Sequence, residues 1–310
     1  MQMKTILCSV DLSSFSPAVL YYGAGLARHF DSRLIVFHAV YAASDPIHHT
    51  PVFERGGEQA EAAAGAMAAV QALMQRCPVG WEAHIRSGEP VTALARATVD
   101  LQADLVVAAS HGFGGLKRLL LGRVVERMVR TAAIPFLVVR GPKASQPPGR
   151  QAEPLVIKQI LVGCGVTARS RPAVEWGSRV AGRFGGTLTV LHTMESPEPE
   201  EAPDDFGEGS YTQIEWRRQK GLRTRLMQLI PRREPGRSGI DTVLGQGPPA
   251  EALLEEARRQ DPDLIVVGLR RQSGIRRVLI GSTTEALLRH SPSPVLVIPE
   301  PDPHHHRPAE

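Results

Sequence analysis

Cysteine is scarce in this chain: Cys8, Cys77 and Cys164 are odd in number, far apart and without a CxxC pair. That excludes a disulfide framework and a cysteine zinc site, and leaves buried free thiols as the expectation. Aromatic residues make up only 5% of the sequence, so small aliphatic side chains must fill whatever core it builds. No apolar run approaches the roughly 20 residues that a membrane-spanning helix needs, and the opening MQMKTILCSVDLSS turns polar too soon for a secretory signal. The expectation is a cytoplasmic protein without a membrane partner. A large excess of one charge is also missing, since 36 Lys and Arg face 32 Asp and Glu for a net charge of +4. The balance does not call for nucleic acid as a partner. His304, His305 and His306 stand in a Pro-rich C-terminal tail, and His48 and His49 lack a third ligand at convincing spacing, so no metal site is expected.

What the chain does have is a repeat. At 310 residues it is long enough for two domains. "KTILCSVD" at 4–11 is answered by "KQILVGCG" at 158–165, and "RLIVFHAV" at 33–40 by "TLTVLHTM" at 187–194, both at an offset of 154. Later pairs keep an offset of 159: "GEPVTAL" and "GPPAEAL", "ADLVVAAS" and "PDLIVVGL", "IPFLVVR" and "SPVLVIP". A glycine-containing stretch recurs as well, "ASHGFGGLKRLLLGR" at 109–123 and "GLRRQSGIRRVLIGS" at 268–282. The boundaries implied are a first domain at 1–142, a linker of Pro-rich composition at 143–154, a second domain at 155–300 and a tail at 301–310.

Each half alternates short β-branched apolar runs with longer Ala- and Leu-rich segments of helical spacing, which predicts repeated βα units and a parallel sheet covered on both faces. Strands are predicted near 4–10, 33–40, 81–86, 104–109 and 135–140, then near 157–163, 187–193, 240–244, 263–268 and 294–298. The acidic, Pro-rich stretch "ESPEPEEAPDDFGEGS" at 195–210 accounts for the extra residues of the second half and predicts a surface loop. Trp216 with Arg217 and Arg218 starts an amphipathic helix whose charges form its solvated face. His38 and His192, at the ends of the second strands, fit packed and hydrogen-bonded roles better than catalysis.

In an open parallel sheet, ligands gather where the strand order reverses, beyond the carboxyl ends of the strands. If the first and fourth strands flank that crevice, Asp11 faces the stretch after Ala109. Gly112, Gly114, Gly115 and Gly122 let backbone amides approach an anion, the following helix offers unpaired amides, and Lys117, Arg118 and Arg123 add charge. Asp11 cannot favour phosphate but can accept hydrogen bonds from a base amine or ribose hydroxyls. The stretch has neither Gly-Lys-Ser/Thr nor GxGxxG, which removes support for a P-loop ATPase and for a standard dinucleotide dehydrogenase. Gly-rich turns are also common wherever a strand passes into a helix, so a purely structural role for these glycines stays open.

The order of these motifs, from "ILCSVDLS" through "FHAV", "GEP" and "DLVVAASHGFGGLKRLLLGRVVERMVR" to "IPFLVVR", resembles the universal stress protein family in its tandem two-domain form. The resemblance implies two doubly wound α/β domains, each with a five-stranded parallel sheet in the order 3-2-1-4-5 flanked by helices. It also implies ATP or AMP as ligand, with Mg as a companion ion. The family's signature of Gly, two residues, Gly, nine residues, then Gly before Ser or Thr falls on Ala109, Gly112, Gly122 and Arg123, and again on Gly268, Arg271, Gly281 and Ser282. By the same resemblance Ser9, Val10, Asp11 and Ala39 lie near the nucleoside, and Ala109, His111, Gly112, Gly115, Gly122, Arg123, Val124 and Val125 around the phosphates. In the second half Gly165 stands where Asp11 stands in the first, which leaves Gly268, Gly281 and Ser282 as weaker candidates in a degenerate domain. The expected role is regulatory binding of adenine nucleotide without efficient turnover. The alternatives are an interaction scaffold that binds no nucleotide, and a weak ATPase. An intramolecular pseudo-dimer of the two domains through their last strands, and a further homodimer, are also implied; the protein partner is not.

Overall fold

A computed structural model describes residues 3–40, 56–75, 77–110, 122–131, 133–140, 154–194, 208–232, 235–269 and 280–300. The chain divides into two units, Met1–Leu155 and Val156–Glu310. In the first, β1 (Thr5–Ser9), α1 (Ser16–Phe30), β2 (Arg33–Val40), α2 (Gly56–Met74), β3 (Trp81–Ser87), α3 (Pro90–Asp100), β4 (Leu105–Ala109), α4 (Arg123–Thr131) and β5 (Phe136–Val139) follow one another. In the second, β6 (Gln159–Gly163), α5 (Arg171–Phe184), β7 (Thr187–Met194), α6 (Glu208–Leu229), β8 (Gly239–Gln246), α7 (Pro249–Gln260), β9 (Leu264–Leu269), α8 (Ser282–His290) and β10 (Val295–Pro299) repeat the pattern. Within the first unit the parallel strands run β3-β2-β1-β4-β5, and within the second β8-β7-β6-β9-β10. Both are the order 3-2-1-4-5 with flanking helices. The linker at 141–153, the tail at 301–310 and the acidic stretch at 195–207 lie outside the described residues.

The central strands are apolar on both faces because helices cover both. Ile6, Leu7 and Cys8 of β1 and Leu161 and Val162 of β6 are fully buried. Gly23 of α1 and its counterpart Gly177 of α5 let these helices lie directly on the sheet. A Cβ at Gly23 would collide with Cys8 Sγ, and one at Gly177 would stand 2.5 Å from Val162 Cγ2. At the amino ends of the strands, Asp104 Oδ2 accepts from the amides of Lys4 and Thr5 at 2.7 and 3.0 Å. Asp263 Oδ2 does the same for Lys158 and Gln159 at 2.8 and 3.0 Å, so each aspartate ties the start of its unit's fourth strand to the start of the first. α6 begins at Glu208, eight residues before the Trp216 start expected from the sequence.

Candidate functional site

β1 and β4 are adjacent and in register, Ser9 against Ala108, so their carboxyl ends finish level. β2 lies on the other flank of β1, with Ser9 against Phe37. The chain leaving β1 crosses to β2 and the chain leaving β4 crosses to β5, so the two connections part at this point and open a crevice. Asp11 and Ser110 stand on its two sides, each two residues beyond that level pair.

The Asp11 side is tightly specified. Val10 donates its amide to Phe37 O at 2.9 Å, and its carbonyl lies 2.8 Å from His38 Nδ1. A carbonyl only accepts, so Nδ1 carries a proton and donates. Asp11 Oδ1 accepts from the Ser13 amide at 3.0 Å and from Ser16 Oγ at 3.3 Å, while Ser13 Oγ accepts from the Phe15 amide at 3.2 Å. Between them Leu12 takes the left-handed conformation at φ 62°, which turns the chain sharply towards α1. Half-buried Ala39 follows His38 on β2 and lies level with Arg86 of β3.

On the opposite side Ala109 ends β4 as an extended residue level with Val139, outside the left-handed region, so its methyl group carries no backbone penalty. Ser110 is fully buried, donates its amide to Val139 O at 2.8 Å, and accepts the Gly122 amide on its carbonyl at 2.8 Å. That bond closes the base of the 111–121 excursion and engages the Gly122 amide with protein. The helix then starts, with Glu126 N donating to Gly122 O at 2.9 Å. The amides of Arg123, Val124 and Val125 precede the first intrahelical bond, and the Arg123 side chain is exposed beside them. Val125 is buried and anchors this turn. His111, Gly112, Gly114, Gly115, Lys117 and Arg118 lie outside the described residues, as does Arg271 of the second unit.

The second unit repeats the frame without the acid. Cys164 donates its amide to Leu191 O, and His192 Nδ1 lies 2.9 Å from Cys164 O, matching Val10 and His38. Gly165 then donates its amide to Ser170 Oγ at 3.0 Å, and Ser170 is the counterpart of Ser16. The hydroxyl that supports a carboxylate in one unit supports a backbone amide in the other. Among the described residues nothing lies within 4 Å of a Cβ built at Gly268 or Gly281, and Gly281 sits at φ −59°, outside the left-handed region. Thr284 Oγ1 reaches Gly268 O at 3.4 Å and ties α8 to the end of β9, while Ser282 begins α8 exposed. Burial pushes the Cys164 thiol up to about 11 against the opposing bond from Ser170, and burial raises Cys8 further still. Neither thiol at these strand ends is a nucleophile. Among the described residues no group of three or more His, Cys, Asp and Glu side chains could hold a metal ion.

A profile of the Universal stress protein family matches residues 3–140 and 157–299. The chain belongs to the universal stress protein family. Its two units are tandem copies of that family's domain. Universal stress protein Mb2028c of Mycobacterium bovis is 26% identical over 299 residues, which covers 94% of this chain and 96% of that one. Other mycobacterial universal stress proteins match at 29% identity, and there the aligned part covers 64% of the relative's length. Among solved structures, a universal stress protein from Archaeoglobus fulgidus covers 97% of this chain at TM-score 0.66 and 19% identity, a likeness of fold. Another universal stress protein, solved in complex with cAMP, aligns with 46% of the chain at TM-score 0.33 and 20% identity. No described helix of this universal stress protein is long and apolar enough to cross a membrane.

The sequence had singled out Ser9, Val10, Asp11 and Ala39 together with Ala109, Gly122, Arg123, Val124 and Val125; the first three lie at or just beyond the end of β1, Ala39 near the end of neighbouring β2, and the others at the end of β4 and the start of α4. It had not anticipated that Gly122 would spend its amide on Ser110, nor that Ser16 would hold Asp11. Ser16 and Ser170 recur at the offset of 154, which is the signal that marks them.

Proposed function

We propose that the first unit binds an adenine nucleotide, ATP or AMP, and that occupancy is its regulatory signal. The observation that carries the reading is the placement of a fixed carboxylate, Asp11, opposite the start of α4 across the crevice where the strand order reverses. Asp11 would accept from ribose hydroxyls or the base amine. The leading amides of α4 and the Arg123 guanidinium would face the phosphates, with Mg accompanying ATP. Asp11 is committed as an acceptor by Ser13 and Ser16, which supports retention of the nucleotide over activation of water for hydrolysis. The second unit has lost the carboxylate and acts as scaffold, and the two units together serve as an intramolecular dimer in the cytoplasm.

The bond from Gly122 to Ser110 favours a second reading, in which the glycines only shape a turn and the protein is a scaffold without nucleotide. Thermal unfolding with and without ATP or AMP separates the two. At ligand one hundred times its dissociation constant the stabilisation is about 2.7 kcal/mol. Asp11→Ala and Gly122→Asp should abolish the shift, and no shift with either nucleotide in the unaltered protein rejects the binding reading.

A further inference from the structure

The near-neutral charge of the whole chain conceals a polarised second unit. The segments at 168–186, 216–232 and 235–238, which hold α5 and the part of α6 from Trp216 onward, include eleven basic side chains, ten of them arginine, against one carboxylate, Glu175, while Glu208 and Glu215 fall in the first part of α6. The opposite helical layer, at 250–263 and 281–291, carries six carboxylates against three arginines. The acidic stretch at 195–207 also offsets the basic face in the total. Nine of the eleven basic side chains are exposed, among them Arg171, Arg217, Lys220 and Arg225.

On α6 the exposed residues Trp216, Lys220, Arg223 and Met227 follow spacings of four, three and four and so form one line along the helix. Lys220 Nζ lies 4.8 Å from the centre of the Trp216 ring. Arg223 Nη1 donates to Thr242 O at 3.0 Å, which sets this line beside the edge strand β8. The apolar side of the helix is already consumed, because Leu226, Leu229 and Ile230 are buried in the unit. A membrane would find little to take up here: among the residues of this helix whose side chains are described, Trp216 and Met227, 58% and 49% exposed, are the large apolar ones left outside. They stand eleven residues apart, roughly 16 Å along the axis. An arginine-rich field suits phosphate oxygens, which a guanidinium can grip in pairs. An exposed indole among cations suits an unpaired base.

We infer that the α5/α6 face of the second unit binds single-stranded nucleic acid, with the phosphate backbone on the arginines and a base stacked on Trp216. This surface is separate from the Asp11 crevice and does not depend on nucleotide binding there. The test is fluorescence anisotropy of a labelled single-stranded oligonucleotide with the full chain over a range of salt. Binding should weaken with a log–log slope of about −0.7 per phosphate engaged, near −3 for four contacts. The triple variant R217E/K220E/R225E should lose at least about tenfold in affinity, Trp216→Ala should lose about tenfold, and Asp11→Ala should bind as the unaltered protein does. Melting temperatures certify that each variant is folded, and Arg225→Glu alone serves if the triple variant is not. The inference falls if no binding occurs at about 50 mM salt, or if these variants bind normally. It also falls if duplex DNA competes equally with the single strand, or if anionic lipid vesicles bind and the oligonucleotide does not.

Discussion

Replacing His38 by leucine tests whether the end of β1 is held in place for the sake of Asp11. Leucine has nearly the volume of histidine and cannot donate, so the carbonyl of Val10 loses the partner that lies 2.8 Å away. A buried carbonyl left without a donor costs about 1–3 kcal/mol, and because His38 is half-buried, water offsets part of that and about 1 kcal/mol is expected. The Val10 amide keeps its bond to Phe37 O, so the strand persists and the peptide leading into Asp11 is what loosens. His192 provides the control, since it makes the same bond to Cys164 at 2.9 Å in a unit with glycine in place of the aspartate. Both leucine variants should lower the melting temperature by about 2–4 °C. Only His38→Leu should also shrink the stabilisation given by ATP, and His38→Asn, whose amide nitrogen can donate from nearly the same place as Nδ1, should recover it. Equal ATP shifts in His38→Leu and His192→Leu would refute the positioning role and leave the histidines as stability elements alone.

Glu256 is nearly buried on α7, where bonds from Arg259 and Gln260 outweigh desolvation and hold its carboxyl below the ordinary 4.5. A depressed folded value contributes stability above the unfolded pKa and loses it as pH falls through the folded one. Glu256→Gln should therefore cost about 1 kcal/mol at neutral pH, and the gap in melting temperature from the unaltered protein should narrow as the pH is lowered through the carboxylate range; a gap constant with pH counts against this. Gly23→Ala and Gly177→Ala should each destabilise by about 1–3 kcal/mol in urea titrations, despite a helix-propensity gain of about 1 kcal/mol, because the added methyl meets Cys8 Sγ or Val162 Cγ2. A disulfide reagent should modify half-buried Cys77 in the native protein and reach Cys8 and Cys164 only on unfolding, as read by thiol counts with and without denaturant.

The strands were legible because a sheet covered on both faces leaves uninterrupted apolar runs, and the repeat matched the first, second, fourth and fifth strands of one half against their twins in the other. The edge strand β3 was legible more through position than pattern, since its residues are only half-buried or exposed. At the site, Asp11 and Arg123 could be named from spacing, whereas the engagement of the Gly122 amide could not, because it depends on where Ser110 O points once β4 ends. Ala109 stands at a glycine position of the signature without a backbone penalty because it pairs in extended form with Val139, a fact of register that residue identity does not carry. The basic face of the second unit was hidden for a different reason. Net charge sums over the chain and discards position, and α5 and α6 meet on one side of the sheet although about 30 residues separate their basic segments.

At the end of the first strand the difference between the two units reduces to one side chain. Both keep the His-to-carbonyl bond, the serine five residues on, and the helix that begins beyond the fourth strand. With a carboxylate at position 11, the serine hydroxyl donates to it and holds an acceptor at the crevice. With glycine at position 165, the serine instead accepts from the backbone amide and the turn closes on itself. A Cβ at Gly165 would meet that serine oxygen at 3.2 Å, tight but relieved if the hydroxyl rotates to donate as Ser16 does. The second unit therefore keeps the framework that holds Asp11 in the first without the carboxylate itself, which is the asymmetry that the proposed nucleotide reading requires.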